Sequence, residues 1–453
     1  MDPINQDEAL RLVRHFRDAV NHCFQPAPRD ENGAFISRFR HDYLVPNPPK
    51  ENNLAAKLDA ATTADIMNFG DYSMCQFHHD AAEMTLELIH DTPFLQRSMG
   101  ALLNFLDMQL PNGSIGRAIT PLKDHEQDPA KPVLCQMAAR IVKQLEVLQS
   151  GSGAEWCREN AVYERLVKFI SFHESEYAGP HSLFKTHSAL NSGYDNDPRL
   201  YGRPVNSIAE PGHNSFIKLD YDALAYLSKI AGHKEETLWE KKSARLAELV
   251  NILLWRDAQS ENGQVALQSA YYIALNWQHG VAGPAAAQRE VIETPNWACF
   301  LPLYANIASQ SQADAMIQHH LLNEARYWSP QAGIRTMPAD DPLFNQARRV
   351  LCYDAQEGKV TPVSNWCGPV WVLSNYYMCT ALLNYGYTKQ AQQLATINAR
   401  LVLHNLDTDG CLYENYNDAR QGLWADQFCS WNVLTITMLR DTGLFPELTI
   451  ASE

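Results

Sequence analysis

Two acidic residues with uncommon neighbours carry the most chemistry in this chain: Asp195 in Asn191-Ser-Gly-Tyr-Asp-Asn-Asp-Pro-Arg199, and Glu414 in Leu412-Tyr-Glu-Asn-Tyr-Asn417. Each sits among aromatic, amide and turn-forming residues rather than in a run of charge, as a carboxylate held in a cleft would. Two carboxylates far apart in sequence but facing one cleft are the minimum equipment for hydrolysing a glycosidic bond. The same residue types also build surface turns. Gly193 and Pro198 allow a sharp turn around Asp195, and Asn191 and Asn196 offer donors that would orient a carboxyl. Asp197 has two readings. Close to Asp195, its charge would raise that carboxyl's pKa and keep it a general acid near neutrality; otherwise it simply pairs with Arg199. Asp407-Thr-Asp-Gly410 reads as a tight turn leading into Glu414, which suits a base that activates water. Asp407, Asp409 and Glu414 lack the twelve-residue spacing of an EF-hand, so no calcium loop is expected.

Asn365-Trp-Cys-Gly-Pro-Val-Trp371 opens an apolar segment. The flat faces of Trp366 and Trp371 are platforms for a sugar ring, and the alternative, core packing, suits Trp371 better than Trp366. His78-His79-Asp80 resembles a metal cluster, but adjacent helical side chains diverge and cannot easily meet one ion. A polar pocket wall is the better expectation, with no metal and no organic cofactor.

These residues must be positioned by helices. Asp91-Thr-Pro-Phe94 reads as a helix start with Thr92 as N-cap and Pro93 first in the helix, followed by Phe94, Met99, Leu102, Leu103 and Leu106 on one face. Ile217, Tyr221, Leu224, Leu227 and Ile230 mark a second one-sided helix, and Leu394, Ile397 and Leu401 a third, beginning near Thr388. Val370 to Tyr385 is apolar or aromatic almost all round and should be buried, with Gly386 as its stop. Trp297 to Ile307 has the same character. Buried and one-sided helices together imply two layers. Strands should be few and confined to loops. Between the helices lie long loops, notably 180–216 and 329–369, of a length that is usually functional. Ser150-Gly-Ser-Gly-Ala154 reads as a loop, and residues 1–453 as one all-α domain.

The chain has 453 residues, with 37 basic and 52 acidic side chains giving a net charge of −15. That balance, without a basic stripe or polybasic segment, excludes nucleic acid and anionic membrane surfaces as partners. The acidic start Met1-Asp-Pro-Ile lacks the order of a signal peptide, and no apolar run reaches membrane-spanning length. The ten cysteines are scattered with no Cys-x-x-Cys, so a reduced, cytoplasmic setting is expected.

Ser-Gly-Tyr-Asp-Asn-Asp-Pro-Arg199 is similar to the Ser-Gly-x-Asp-Asn-Ser-Pro-Arg motif of the clan holding glycoside hydrolase families 37 and 63, the trehalases and processing-type α-glucosidases. Trp366-Cys-Gly-Pro-Val-Trp371, with Asn375-Tyr376 and Tyr385-Gly386-Tyr387, resembles their Trp-x-Gly-Pro-x-Trp…Asn-Tyr…Tyr-Gly segment. Tyr413-Glu-Asn-Tyr416 and Phe428-Cys-Ser-Trp431 resemble their His-Glu-x-Tyr…Phe-x-Trp block. Phe77-His-His-Asp80 with Gln109-Leu-Pro-Asn-Gly113 is similar to a Trp-Asp-Ser…Gln-x-Pro-x-Gly pattern. The blocks stand in family order over roughly residues 70 to 440.

The resemblance implies an all-α (α/α)6 barrel with long loops forming a central cleft. It implies inversion, with Asp195 as general acid and Glu414 as general base, their carboxyls roughly 6.5–9.5 Å apart. It also implies sugar contacts from Phe77, His79, Asp80, Tyr194, Asn196, Arg199, Trp366, Gly368, Trp371, Tyr416, Gln427 and Trp431. The length, without a β-domain, is closest to bacterial mannosylglycerate and glucosylglycerate hydrolases of family 63. Two departures stand out: His79-Asp80-Ala81 replaces Trp-Asp-Ser, and Tyr413 replaces the His before the base. A glycerate site would need a clamp for its carboxylate, for which Arg199, Arg203 and Lys185 are available. The expected activity is therefore inverting hydrolysis of a small α-glucoside or α-mannoside (glucosylglycerate, mannosylglycerate or an α-disaccharide). The alternatives are a sugar epimerase using His78, His79 or His213, and a catalytically silent sugar binder. The partner is a small sugar, and a homo-oligomer stays open.

Overall fold

Three of the longer helices open where a polar side chain closes the first turn. In the computed structural model, residues 2–35, 37–49, 72–73, 75–121, 128–257, 260–261, 264–265, 270–276, 290–354 and 359–453 are described. Helix α1 (Gln6–Cys23) starts on a capping box: the Asn5 side chain accepts from the Glu8 amide at 2.9 Å and the Glu8 carboxylate accepts from the Asn5 amide at 3.0 Å. It buries Leu12, Val13, Phe16 and Val20 and exposes the opposite face. Helix α2 (His78–Leu88) is buried almost throughout, charged residues included. Helix α3 (Thr92–Asp107) is capped by Asp91, whose carboxylate accepts from the Phe94 amide at 3.2 Å. The expected cap, Thr92, is thus already inside the helix.

Helices α4 (Leu134–Leu148), α5 (Ser152–Glu159) and α6 (Val162–Tyr177) follow. The stretch at 150–154, expected to be a loop, starts α5, because the Glu146 carboxylate reaches the amides of Gly151 and Ala154 at 2.7 and 2.9 Å. That satisfies donors which a Gly/Ser sequence alone leaves open. Helix α7 (Pro211–Ala231) begins inside the loop expected over 180–216, with Pro in its first turn and Glu210 accepting from the amides of Gly212 and His213. Helices α8 (Glu236–Leu254), α9 (Val372–Asn384), α10 (Thr388–Thr408) and α11 (Leu434–Asp441) complete the longer elements. Asp407 and Thr408, read as a tight turn, are still in α10; only Gly410, at φ 69°, reverses the chain.

Helix α7, expected from Ile217, Tyr221, Leu224, Leu227 and Ile230 to be one-sided, is instead buried over most of its surface, because it packs against α4 and α6 as well as α8; α9 leans on the one-sided α10, and α2 packs on α3, α4 and α11. One cluster of buried apolar side chains runs through all of these helices. Residues 297–304 form a short 3-10 turn and helix, also buried. The described strands are two to five residues long, and those that pair do so antiparallel: β1 (Gln76–Phe77) with β2 (Ala118–Ile119), β3 (Val350–Asp354) with β4 (Lys359–Val363), and β5 (Tyr413–Tyr416) with β6 (Gly422–Asp426). The β3–β4 hairpin occupies part of the segment expected to be loop over 329–369. No helix among the described residues is long and apolar enough to cross a membrane.

Glu87, fully buried on α2, ties the early and late chain together. It accepts from Arg440 at 2.7 Å, the Thr437 hydroxyl at 2.8 Å and the Ile450 amide at 2.8 Å. Removing one partner of a buried ion pair strands the other. Glu87→Ala should therefore lower the unfolding free energy by about 3–5 kcal/mol in urea titrations, with Glu87→Gln, which keeps an acceptor, losing less.

Candidate active site

The turn carrying Asp195 is built by its neighbours. Ser188 accepts from the Asn191 amide at 3.0 Å and opens a single helical turn, Ala189–Ser192, which Gly193 ends at φ 79°. A side chain at 193 would be doubly disfavoured: the left-handed φ suits glycine, and a β-carbon would lie 3.2 Å from both His79 Nδ1 and Lys131 Nζ. Asp197 takes its second reading. Its carboxylate binds Arg199 through Nε at 3.0 Å and Nη2 at 2.7 Å, and Arg199, fully buried, also reaches Glu210 at 3.4 Å. Asn196 does not orient the Asp195 carboxyl; it bridges to Asn365 at 3.1 Å and accepts from the Trp366 amide at 2.7 Å. Asn191 likewise points elsewhere, donating to the Pro129 carbonyl at 2.5 Å. The two amides fix the turn, and the turn aims Asp195.

Glu414 lies on β5, and its carbonyl accepts from Trp431 Nε1 at 3.1 Å. The Ser364 hydroxyl sits 3.2 and 3.1 Å from its two carboxyl oxygens, and the Tyr72 hydroxyl donates to one of them at 3.4 Å. Burial pushes the Glu414 pKa well above the usual carboxylate range and the charge on Asp195 pushes it further, against the hydrogen bonds from Ser364 and Tyr72. Burial also raises Asp195, with Arg117 pulling it back. Two carboxyls raised together, one by the charge of the other, hold one proton between them more readily than two charges or none. Both carboxyls are shifted in the same direction; the sequence resemblance makes Asp195 the acid.

Both carboxyls open on one cavity of about 220 Å³, with Asp80 on the same wall. Asp80 accepts from the Ser430 hydroxyl at 2.6 Å, yet burial lifts its pKa to about 7. Phe77, Trp366, Trp424, Phe428 and Trp431 supply aromatic surface. Two guanidiniums also line the cavity. Arg349 lies 4.0 Å over the Trp424 ring and Arg117 stands 3.8 Å from Asp128, and the Nε of each is buried without a hydrogen-bond partner among the described residues. His78 donates from Nδ1 to the Arg117 carbonyl at 2.7 Å and accepts the Lys131 amide at Nε2, 3.1 Å; burial holds its pKa near 3. Among the described residues no group of three or more His, Cys, Asp or Glu is placed to hold a metal ion.

Of the residues singled out from sequence, Phe77, His78, His79, Asp80, Gly193, Asp195, Trp366, Glu414, Phe428 and Trp431 line this cavity. The others expected to touch sugar stand outside its lining. Trp371 is fully buried, stacked 3.6 Å behind Trp366. Tyr194 packs on Trp297 at 4.6 Å, and Tyr416 donates to Asn432 at 3.0 Å. Asn196 and Arg199 are committed to the contacts given above. At Gly368, φ 141°, a β-carbon would lie 2.3 Å from the Asn345 carbonyl, and Gln427 is exposed. Lys185 and Arg203, suggested as clamps, and His213, suggested as an epimerase base, also lie outside the lining; His213 is buried beside His173. The sequence reading missed Tyr72, Arg117, Ser364, Arg349 and Trp424. Ser364 adjoins the Asn365-Trp366 motif and Arg117 follows Gly113 closely, which was a usable signal; nothing local marks Arg349.

Residues 145–427 match the model of the "Mannosylglycerate hydrolase MGH1-like glycoside hydrolase domain". A mannosylglycerate hydrolase from Rubrobacter radiotolerans is 28% identical over 178 residues, 39% of this chain and only 32% of that relative's length. The structure of the GH63 mannosylglycerate hydrolase from Thermus thermophilus in complex with glucose superposes with a TM-score of 0.63 at 16% identity, covering 96% of this chain and 99% of that one. Neutral trehalase from Saccharomyces cerevisiae superposes with a TM-score of 0.58 at 14% identity, over 82% of this chain and 72% of that one. At these identities the structural likeness is one of fold.

Because the Asp195 charge raises Glu414, Asp195→Asn should move the Glu414 titration midpoint down towards ordinary glutamate. Tyr72→Phe, which removes a donor to the ionised form, should move it up. Carboxyl carbon NMR of glutamate-labelled protein reads both directions.

Proposed function

The chain belongs to the MGH1-like glycoside hydrolase family, named for mannosylglycerate hydrolase, and from that premise we propose an inverting α-glycosidase acting on a small α-mannoside or α-glucoside whose aglycone carries a carboxylate. The observation that carries this reading is the opening of Asp195 and Glu414 on one cavity beside Asp80, with Ser364 and Tyr72 holding Glu414. The helix order of α7 to α11, buried elements alternating with one-sided ones, supports an (α/α)6 barrel around that cavity. A volume of about 220 Å³ favours one sugar ring with a short aglycone over a polymer.

In the proposed reaction Asp195 gives its proton to the glycosidic oxygen as the bond to the anomeric carbon breaks. Glu414 takes a proton from water as that water's oxygen bonds to the opposite face of the carbon. The products are the β-anomer of the sugar and the free alcohol, leaving Asp195 ionised and Glu414 protonated until solvent exchanges the proton back. Asp80, half-protonated near neutrality, would hold sugar hydroxyls as donor or acceptor. Arg117 and Arg349, which line the cavity, would take the carboxylate. In that role they replace Arg199, Arg203 and Lys185.

Proton NMR of glucosylglycerate or mannosylglycerate hydrolysis should show the β-anomer first; the α-anomer first would overturn inversion. Asp195→Asn and Glu414→Gln should each cost about 10²–10⁴-fold in turnover. An α-glycosyl fluoride, whose leaving group needs no acid, separates the roles: Asp195→Asn should still hydrolyse it and Glu414→Gln should not, and the opposite result would exchange acid and base. Arg117→Leu or Arg349→Leu should raise KM for the carboxylate substrates about tenfold or more while leaving glucosylglycerol unchanged.

A further inference from the structure

His79 stands where the pattern that the sequence resembles has a tryptophan, and the residues behind it determine what it offers. Glu83, fully buried on α2, faces Arg140, whose Nη1 lies 3.6 Å from one carboxylate oxygen. The Tyr377 hydroxyl donates to the other oxygen at 2.9 Å. A carboxylate only accepts, so the Tyr377 proton is directed at Glu83. His79 Nε2 stands 2.9 Å from the same hydroxyl oxygen, which with its proton committed can only accept. The proton of the neutral imidazole must therefore sit on Nε2, leaving a lone pair on Nδ1. Nδ1 has no hydrogen-bond partner among the described residues, and the ring lines the cavity. Protonation of the ring is disfavoured by burial first, then by the charges of Lys131, His78 and Arg140.

We propose that His79 is a specificity residue whose Nδ1 accepts a hydrogen bond from one sugar hydroxyl, and that Arg140, Glu83 and Tyr377 are positioning residues that fix the tautomer. A tryptophan, as in the pattern the sequence resembles, would offer a flat ring face and no such acceptor; here one hydroxyl is required to donate. This rests on the hydrolase reading only for the identity of the ligand as a sugar. A sugar lacking that hydroxyl leaves the lone pair unsatisfied, which should weaken binding roughly tenfold or more.

Two measurements test it. Ring nitrogen NMR of the whole protein at pH 6–8, with His79 assigned by the signals lost in His79→Gln, should give Nε2 protonated and Nδ1 as acceptor. The other tautomer, or a doubly protonated ring, overturns the proposal. Tyr377→Phe, which removes the partner of Nε2, should shift those signals towards a tautomer mixture.

Calorimetry in the Asp195→Asn background, where turnover cannot interfere, then compares D-mannose, D-glucose and their monodeoxy derivatives. One derivative should bind roughly tenfold or more weakly than its parent, that penalty should vanish in His79→Phe, and it should persist in part in His79→Gln, whose amide oxygen still accepts. Equal penalties with and without His79, or no binding of either parent sugar, overturn the proposal. Neither result depends on hydrolysis, so a failure of the hydrolase reading, seen as an inert wild type, is told apart from a failure here.

Discussion

Gathering ionisable side chains out of water is the constraint around which this protein is arranged. Desolvation favours the neutral form of every carboxyl it touches, and a second charge nearby adds to it. Asp80, Asp195 and Glu414 meet at one cavity under that pressure. They are tolerable because each is answered locally: Ser430 for Asp80, Ser364 and Tyr72 for Glu414, and the Arg117 charge for Asp195. The answers are hydroxyls more often than cations. A hydroxyl stabilises the ionised form without a full counter-charge, which leaves the proton movable.

Charges that must not move are treated differently. Arg199 is enclosed with Asp197 and Glu210, and Glu210 in turn caps α7. Glu87 is held by a guanidinium, a hydroxyl and an amide at once. Glu83 does the same work one turn earlier on α2, with Arg140 on one side and Tyr377 on the other. Helix α2 thus carries an ordered series from Asp80 at the cavity to Glu87 at the far contact. Its burial on nearly every side follows from that duty as much as from its apolar residues.

The one-sided helix α10 was legible from its stripe of Leu394, Ile397 and Leu401 at helical spacing, but the same kind of stripe misled over 217–230, where neighbours on several sides bury α7. Burial of 372–384 was legible for the opposite reason, the lack of any polar side. Helix starts were read less well: Asp91 rather than Thr92 caps α3, and Glu146 reaches the start of α5 from the preceding helix, a contact that needs the folded chain. At the site, cavity-lining residues such as Asp80, Trp366 and Trp431 were found with their packing supports, Arg199, Tyr194 and Trp371, in the same motifs. Spacing cannot separate the two, because the residue that aims a group and the group itself are neighbours in sequence. Arg349 was invisible, standing just before a hairpin with no motif beside it.

Tyr72 and Glu414 hydrogen-bond across 342 positions, and Ser430 reaches Asp80 across 350. At ordinary synthesis rates of roughly 5–20 residues per second, the two ends of each contact leave the ribosome tens of seconds apart. For that interval α2 carries Asp80 without Ser430 and Glu87 without Arg440, and Glu83 has Arg140 but not yet Tyr377. The pocket is therefore closed by the last part of the chain to be made, and an interrupted translation product ending before residue 414 lacks one of its carboxylates altogether.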